Sequence, residues 1–213
     1  MLQTQTVDPY TLELLRRFMS QDWFHSFNLV GGTALSLQLG HRISIDLDFF
    51  SFKEFDVDIL KEKINSTFKD VKREWTYERG MILTVRMNDV KVDFVHYPYE
   101  LIDTLVIEKD IRLLSPKDIA AMKLSAVSNR AEKKDFFDIY KLLQTFTLKE
   151  MLALYRVKFK QEYISHILRS LCYFDEANES EDPIMIDNTT WNDVKNRVQS
   201  EVKDYFLKKE QDE

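Results

Sequence analysis

Two glycines and two aspartates stand close together in the segment 29–50, which reads LVGGTALSLQLGHRISIDLDFF. Gly31 and Gly32 end a short apolar run that is typical of a buried strand, and glycine lets the backbone turn sharply and approach a ligand closely. Thr33 is predicted to cap a helix over residues 34–39, whose first N–H groups suit a phosphate. The segment therefore predicts a phosphate-binding turn.

The aspartates follow in a second predicted strand, where side chains point alternately to opposite faces. Ile45, Leu47 and Phe49 would face the core, while Asp46 and Asp48 would share the other face, about 6.5–7 Å apart. Neighbouring carboxylates repel each other unless a cation lies between them, and hard oxygen ligands suit Mg²⁺. A phosphate turn followed by paired aspartates indicates metal-assisted phosphoryl or nucleotidyl transfer.

This segment resembles a known family. Gly31-Gly32-Thr33 followed by Asp46-Leu47-Asp48 is similar to the glycine and Asp-x-Asp signature of the DNA polymerase β-like nucleotidyltransferase superfamily. The flanking residues resemble, more narrowly, the AbiEii/AbiGii-type nucleotidyltransferase toxin family. The resemblance covers roughly residues 25–145, and it implies that the glycine turn and Thr33 bind the nucleotide.

A third carboxylate is predicted in the last of three strands, 71–77, 81–87 and 90–97, which turns at 78–80 and 88–89 join into an antiparallel meander. Asp93 lies opposite the apolar positions of its strand, which is expected to neighbour the strand of Asp46 and Asp48. In the superfamily that this chain resembles, such an acid shares the metal that activates the attacking hydroxyl. Lys91 is a weaker candidate on the same strand.

A second stretch, 118–140, is predicted to be helical and resembles the downstream motif of the AbiEii type. The resemblance implies that Lys123 contacts the triphosphate and that Asp135 or Asp138 supports the site. Arg130 lies two helical turns after Lys123 and would share its polar flank, as a nucleotide-binding residue. Asp138 is expected to orient Lys123 or Lys134.

Other elements must position these residues. Asp8-Pro9 begins a helix, Asp56 caps one over 57–68, and residues 105–114 are expected to add edge strands. Ser115-Pro116 begins a helical region with further helices after Thr147, over 162–174 and after Thr190, the last two separated by an acidic loop at 175–190. The predicted fold class is α/β (α+β): a nucleotidyltransferase fold with a twisted mixed sheet flanked by helices, then an α-helical C-terminal region. The predicted domains are 1–114 and 115–213.

Composition limits the alternatives. The chain of 213 residues has a net charge of −6, which argues against a general nucleic-acid binder, although residues 109–160 are locally basic. The single Cys172 excludes an internal disulfide and a cysteine metal site. No signal pattern or membrane-spanning run is seen, so no membrane association and a cytoplasmic location are expected.

The sequence thus predicts a Mg²⁺-dependent enzyme that transfers NMP from an NTP. Asp46, Asp48 and Asp93 would hold two ions about 3.5–4 Å apart. The family resemblance implies an acceptor such as tRNA, a protein or another cellular target, and a cognate antitoxin. Two alternatives stay open: a degenerate protein that binds nucleotide or a partner without catalysis, and a small-molecule nucleotidyltransferase of the antibiotic-modifying kind.

Overall fold

The structure is a computed structural model that describes the backbone of residues 1–212 and the side chains of residues 1–208. The chain divides into two compact units. The sheet unit comprises Met1–Gln38, Ile43–Glu100 and Leu105–Leu114, and the helical unit comprises Leu39–Arg42, Leu101–Thr104 and Ser115–Glu213, of which Glu213 lies outside the described residues. The predicted division into functional domains at residues 114 and 115 stays a prediction.

In the part of the chain that the structure describes, the sheet unit contains a seven-stranded mixed sheet in the order β3-β4-β5-β2-β1-β7-β6. Its strands are β1 (Phe27–Leu29), β2 (Leu47–Ser51), β3 (Arg73–Arg79), β4 (Ile82–Met87), β5 (Val90–His96), β6 (Val106–Glu108) and β7 (Ile111–Leu113). Helix α1 (Pro9–Met19) precedes the first strand, α2 (Gly31–Leu39) connects β1 to β2, and α3 (Val57–Thr67) connects β2 to β3. The mixed sheet with flanking helices confirms the predicted fold class.

Helix α1 covers one face of the sheet. Asp8 caps it by accepting a hydrogen bond from the Tyr10 N–H, and a proline occupies its first position, as predicted. Its Phe18 is fully buried, and its ring lies 5.3 Å from that of Phe49 and 5.6 Å from that of Phe94. Because alternate residues of a strand point to opposite faces, this packing leaves the other face of β2 and β5 for the polar residues.

Two local predictions in the sheet unit are wrong. Strand β2 does not include Ile45, which is 62% exposed, because Ser44 is bonded to Thr6 of the N-terminal turn instead of to a neighbouring strand. Residues 105–114 do not only add edge strands: β6 is an edge, whereas β7 lies inside the sheet, parallel to β1. The meander of β3, β4 and β5 is confirmed.

The helical unit consists, in its described residues, of α4 (Pro116–Arg130), α5 (Lys133–Leu142), α6 (Leu148–Phe159), α7 (Ser165–Leu171), α8 (Asp175–Glu179) and α9 (Trp191–Asp212). Ser115 caps α4 and Thr147 forms a capping box with Glu150 at α6, as predicted. The predicted helix over 162–174 is wrong in extent, and the acidic segment begins with the short α8 instead of a loop. Both ends of α7 lack a side-chain cap or glycine that the sequence could display.

Helix α9 packs on the other helices of its own unit. Val194, Val198 and Val202 recur at helical spacing and are buried, as in an amphipathic helix, whereas Phe206 further along is 48% exposed. Trp191 at its start lies 5.6 Å from the ring of Phe136 in α5. No helix in the described chain combines the length and the apolar character that crossing a bilayer requires.

Candidate active site

The glycine turn lies directly against one of the predicted catalytic acids. Gly31 begins α2 with a φ of +67°, a left-handed conformation that strongly favours glycine. A Cβ atom at Gly31 would lie only 2.7 Å from Oδ2 of Asp48, so a side chain there would displace this carboxylate. The backbone also joins the two, because the Val30 N–H donates to the Asp48 carbonyl at 2.9 Å. Gly31 thus brings the start of a helix to the acid.

Thr33 has a different position from the predicted one. The helix starts at Gly31, three residues before the predicted start at residue 34, so Thr33 lies inside its first turn and does not cap it. Its buried hydroxyl donates to the Asp46 carbonyl and lies 2.8 Å from the Ser44 hydroxyl. Thr33 therefore fixes the backbone that carries Asp46, while its predicted contact with phosphate stays a prediction.

Asp48 and Asp93 are direct neighbours across the sheet. Strands β2 and β5 pair in parallel, and the Cα atoms of these two residues are partners in the register. Adjacent strands lie about 4.8 Å apart, and partnered residues point to the same face. The buried residues Leu47, Phe49 and Ser51 alternate with them along β2. The prediction that Asp93 lies on a strand beside the Asp48 strand is confirmed. Asp46 directly precedes that strand and is half-buried.

Lys91 contributes a cation to this face, although the sequence placed it behind other candidates. Its Nζ lies 2.6 Å from Oδ2 of Asp93. Burial lowers the pKa of Lys91, but its hydrogen bond to Asp93 and the charges of Asp93, Asp48 and Asp46 outweigh this effect, and the pKa is raised. The negative charges of all three acids therefore stabilise the charged form of Lys91. We refer to Asp46, Asp48 and Asp93 as the acid face.

The acid face offers an oxygen atom that a divalent cation could bind. Oδ1 of Asp93 is buried and forms no hydrogen bond with the residues that the structure describes. Among the described residues, no three His, Cys, Asp or Glu side chains are gathered into a metal-binding group. Mg²⁺ does not require one, since it commonly binds one or two carboxylates together with waters and substrate phosphates. The donor set therefore fits Mg²⁺ bound with its nucleotide.

The downstream motif forms a separate cluster within the helical unit. Asp138 is fully buried, and its Oδ1 lies 2.7 Å from Nε2 of His41 and from Nε of Arg42. Its Oδ2 accepts from Nη2 of Arg42 at 3.0 Å and lies 2.6 Å from Nζ of Lys123. Asp135, equally buried, binds Nζ of Lys123 at 2.7 Å and Nε of Arg130 at 2.8 Å. We call these six residues the buried charge cluster.

The surroundings favour the charged forms of Asp135, Asp138 and Lys123. Burial raises the pKa of Asp138, but Arg42 and Lys123 outweigh burial and hold this pKa well below the usual range. In Asp135 the charge of Lys123 and the hydrogen bond of Arg130 outweigh burial in the same way and lower the pKa. Burial lowers the pKa of Lys123, whereas the two aspartates outweigh it and the pKa is raised. Three permanent cations thus face two carboxylates.

The structure separates the predicted site residues into these two groups. Gly31, Thr33 and the acid face belong to the sheet unit, and Lys123, Arg130 and Asp138 belong to the buried charge cluster of the helical unit. Lys123 is only 4% exposed, whereas the Arg130 side chain is half-exposed. The expected contact between Asp138 and Lys123 is present.

Sequence reasoning missed His41 and Arg42. They follow Gly40, which lies just after α2 and has a φ of +70°. The available signal was two adjacent cationic residue types in an otherwise apolar segment. Asp118, in the first turn of α4, is also buried, and its Oδ1 lies 2.7 Å from Nζ of Lys158, a pair that no local pattern predicts.

A mixed sheet that carries two in-register acids beside a glycine turn defines a nucleotidyltransferase-type site. The comparison with family models agrees. The model described as "Nucleotidyl transferase AbiEii toxin, Type IV TA system" matches residues 13–211, and the chain belongs to this family. This confirms the family that the sequence motifs indicated.

One relative in sequence and two solved structures are also similar to this chain. A protein of Aquifex aeolicus (strain VF5), described as uncharacterized protein aq_aa25, is 33% identical over 202 residues and spans 91% of this chain and 95% of its own length. The crystal structure of JHP933 from Helicobacter pylori has a TM-score of 0.55 at 17% identity, covering 97% of this chain and 96% of its own. MenT4, a nucleotidyltransferase toxin from Mycobacterium tuberculosis H37Rv, has a TM-score of 0.50 at 14% identity, covering 91% and 83%. The two structures share the fold.

Proposed function

We propose that this protein transfers NMP from an NTP to an acceptor hydroxyl in a Mg²⁺-dependent reaction at the acid face. The observation that carries the proposal is the register of Asp48 with Asp93, next to a glycine turn that only a residue without a side chain fits. Backbone N–H groups at the start of α2 would receive the β- and γ-phosphates, since a helix N-terminus favours anions. With the β- and γ-phosphates bound there, the α-phosphate would lie next to the acids.

Asp46, Asp48 and Asp93 would hold the Mg²⁺. Bound there, Mg²⁺ would lower the pKa of the acceptor hydroxyl and offset the charge of the phosphates. Asp93 would offer its unpaired Oδ1, because Lys91 already binds Oδ2. Thr33 would keep Asp46 in place through the Asp46 carbonyl. Asp93 and Asp46 therefore each have a neighbour that fixes their position.

Lys123 and Arg130 stay predicted nucleotide contacts, with Asp138 as the residue that positions Lys123. Arg130 offers the more accessible cation, because its side chain is half-exposed, whereas Lys123 is buried between two aspartates. Nε of Arg130 also lies 3.8 Å from Oε2 of Glu132 at the cluster surface. A nucleotide phosphate would compete with this carboxylate for Arg130.

The acceptor and the biological role belong to the same proposal. We propose tRNA or a protein as the acceptor and growth inhibition as the outcome, counteracted by a cognate antitoxin. The family description supports a toxin role. A net charge of −6 opposes non-specific binding to nucleic acid, so a tRNA acceptor must be recognised by local features. The expected location is the cytoplasm, where NTPs and tRNA occur.

A labelling screen tests the reaction. The purified protein is incubated with Mg²⁺ and each α-labelled NTP, together with total tRNA, a protein extract or aminoglycosides. We expect label on one macromolecular acceptor, lost on omission of the metal and in Asp48→Asn. Asp89→Asn, a substitution of the same type in the exposed turn after β4, should retain the activity.

Three results would contradict the proposal. Unchanged transfer by Asp48→Asn would remove the acid face from the reaction. Label on aminoglycosides alone would identify a small-molecule enzyme. Metal-dependent NTP binding without any transfer would identify a degenerate member. Expression of the wild-type protein in a bacterial host should also slow growth, and expression of Asp48→Asn should not.

A further inference from the structure

Three aromatic side chains continue the acid face along the sheet. The ring of Phe50 lies 4.8 Å from that of Tyr97, and the ring of Tyr97 lies 4.8 Å from that of Tyr99. The planes are tilted by 38° and 51°. We call these three residues the aromatic ladder. All of them belong to the sheet unit.

The ladder and the acids share one face. Phe50 is two residues after Asp48 in β2, and Tyr97 continues the alternation of Asp93 and Val95 in β5. The Tyr97 N–H donates to the Ser51 carbonyl at 2.8 Å, so the pairing of the two strands extends to this residue. Alternate residues of a strand are about 6.6 Å apart, which sets the distance from the acids to the first ring.

This face differs from the opposite one in its exposure. The phenylalanines beneath the sheet, such as Phe24 and Phe94, are fully buried and complete the core. Phe50 and Tyr97 are half-buried, and Tyr99 is 39% exposed. The ladder therefore ends in an accessible ring.

The aromatic ladder and the glycine turn lie at different ends of β2. Strand β1 runs antiparallel to β2 with Leu29 opposite Phe49, so the turn at Gly31 lies level with the beginning of β2. The ladder lies towards the end of β2. The glycine turn and the acids thus lie together at the beginning of β2, and the aromatic rings lie towards its end. In phosphoryl transfer the attacking and leaving oxygens are roughly in line on opposite sides of the phosphorus.

We infer that the aromatic ladder binds an unpaired nucleobase of a nucleic-acid acceptor, next to the hydroxyl that receives NMP. The inference rests on the proposed function: if pyrophosphate leaves towards the glycine turn, the acceptor approaches from the side of the ladder. Aromatic rings stack on any base, and each stacked base contributes to affinity without requiring a particular sequence. The ligand class is thus a single-stranded end.

Binding of a fluorescent short single-stranded RNA, followed by anisotropy with Mg²⁺ and without NTP, tests the inference. Tyr99→Ala should weaken binding roughly tenfold, the size expected for one stacked base. Tyr99→Trp should preserve binding because it keeps a ring. Wild type should bind an RNA whose terminal nucleotide is abasic as weakly as Tyr99→Ala binds the intact RNA. Tyr77→Ala removes a tyrosine of similar exposure, 49%, in β3 and should leave binding unchanged.

Several outcomes would overturn the inference. These are no binding by wild type, equal effects of Tyr99→Ala and Tyr77→Ala, or a loss of affinity for a fluorescent NTP with no loss for RNA, which would assign the ladder to the nucleotide base. Thermal melting of each variant distinguishes lost stacking from lost folding. The proposed reaction fails separately: if Asp48→Asn keeps transfer while Tyr99→Ala weakens RNA binding, the ladder stands and the acid face does not.

Discussion

The acid face and the buried charge cluster both consist of aspartates with basic partners, yet their surroundings are opposite. On the acid face, Asp93 is paired with the partly exposed Lys91, and its buried Oδ1 has no hydrogen bond from the described residues. In the cluster, every carboxylate oxygen of Asp135 and Asp138 is bound by at least one cationic group. The acid face can therefore still bind a ligand, whereas the carboxylates of the buried charge cluster are already bound by cationic side chains.

The two regions show that charged sequence motifs can serve either stability or ligand binding. Charged residues in a buried, fully paired network fix the relative positions of the segments that carry them, and removal of one partner leaves an uncompensated charge. Neighbouring carboxylates repel each other, and a bound cation can relieve that repulsion. The acid face should therefore govern turnover, and the cluster should govern stability.

The largest effect is expected from Asp138→Asn. This change removes the carboxylate that binds Arg42 and one of the two that bind Lys123 in a buried site, and it should lower the free energy of unfolding by about 3–5 kcal/mol. Chemical denaturation measures the loss. Asp93→Asn is the matched change on the acid face and should alter stability by no more than about 1 kcal/mol. Equal losses in both variants would abolish the distinction between the two regions.

Asp93→Asn should instead affect turnover. We expect NMP transfer to fall about a hundred- to thousandfold, the range found when one electrostatic group is removed from a preorganised site. Transfer assays at saturating Mg²⁺ and NTP provide the measurement. A decrease of less than tenfold would show that Asp93 is not part of the reaction, even though it neighbours Asp48.

Gly31→Ala probes the contact between the turn and the acid face. The added Cβ would displace Asp48, and an error of about 1 Å in such a site can reduce the rate about a hundredfold. Gly80→Ala is its control, because Gly80 also has a positive φ, +56°, but a Cβ there meets nothing within 4 Å. Both variants should lose similar stability from backbone strain, and only Gly31→Ala should lose transfer.

Acid should weaken the cluster. Asp135 and Asp138 have a lowered pKa in the folded state, so their contribution is present above the unfolded value of about 3.9 and is lost as the pH falls towards the folded values. Below about pH 4, each carboxyl should reduce stability by up to about 1.4 kcal/mol per pH unit. Denaturation curves over pH 7 to 2.5 should show a shallower slope for Asp138→Asn. Parallel curves for wild type and variant would contradict this account.

The smallest effect is expected from Lys91→Met. Its ion pair is about half exposed, and such pairs contribute about 0–1 kcal/mol. Lys123→Met, the same substitution in the buried charge cluster, should cost several times more because two buried carboxylates lose a shared cation. Thermal melting of the two variants side by side gives the comparison. A greater loss in Lys91→Met would reverse it.

The sequence revealed most of the acid face because its information is local. Alternation along β5 placed Asp93 opposite the apolar positions, and the turns of the meander suggested which strand it follows. The exact start of α2 was not predictable, because Gly31 takes a positive φ to reach Asp48 and Thr33 bonds to a segment thirteen positions away. Both features depend on packing between segments.

The buried charge cluster was only half predictable. Helical spacing brought Asp135 and Asp138 to one side of a helix, and resemblance to a family drew attention to Lys123. The partners His41 and Arg42 lie 97 and 96 positions before Asp138, and no local pattern links residues at that separation. Burial, which makes these contacts strong, is also a property of the assembled unit and not of the segment.

The pairing of β2 with β5 alone sets the spacing of Asp48 and Asp93, although α3, β3 and β4 intervene along the chain. Insertions or deletions in the segment that contains α3, β3 and β4 leave the two carboxylates in place as long as β2 and β5 keep their register. Evolution is therefore free to lengthen, shorten or replace this segment. Relatives should differ most in length between the second and third acids, and changes there offer a route to new acceptors without altering the chemistry.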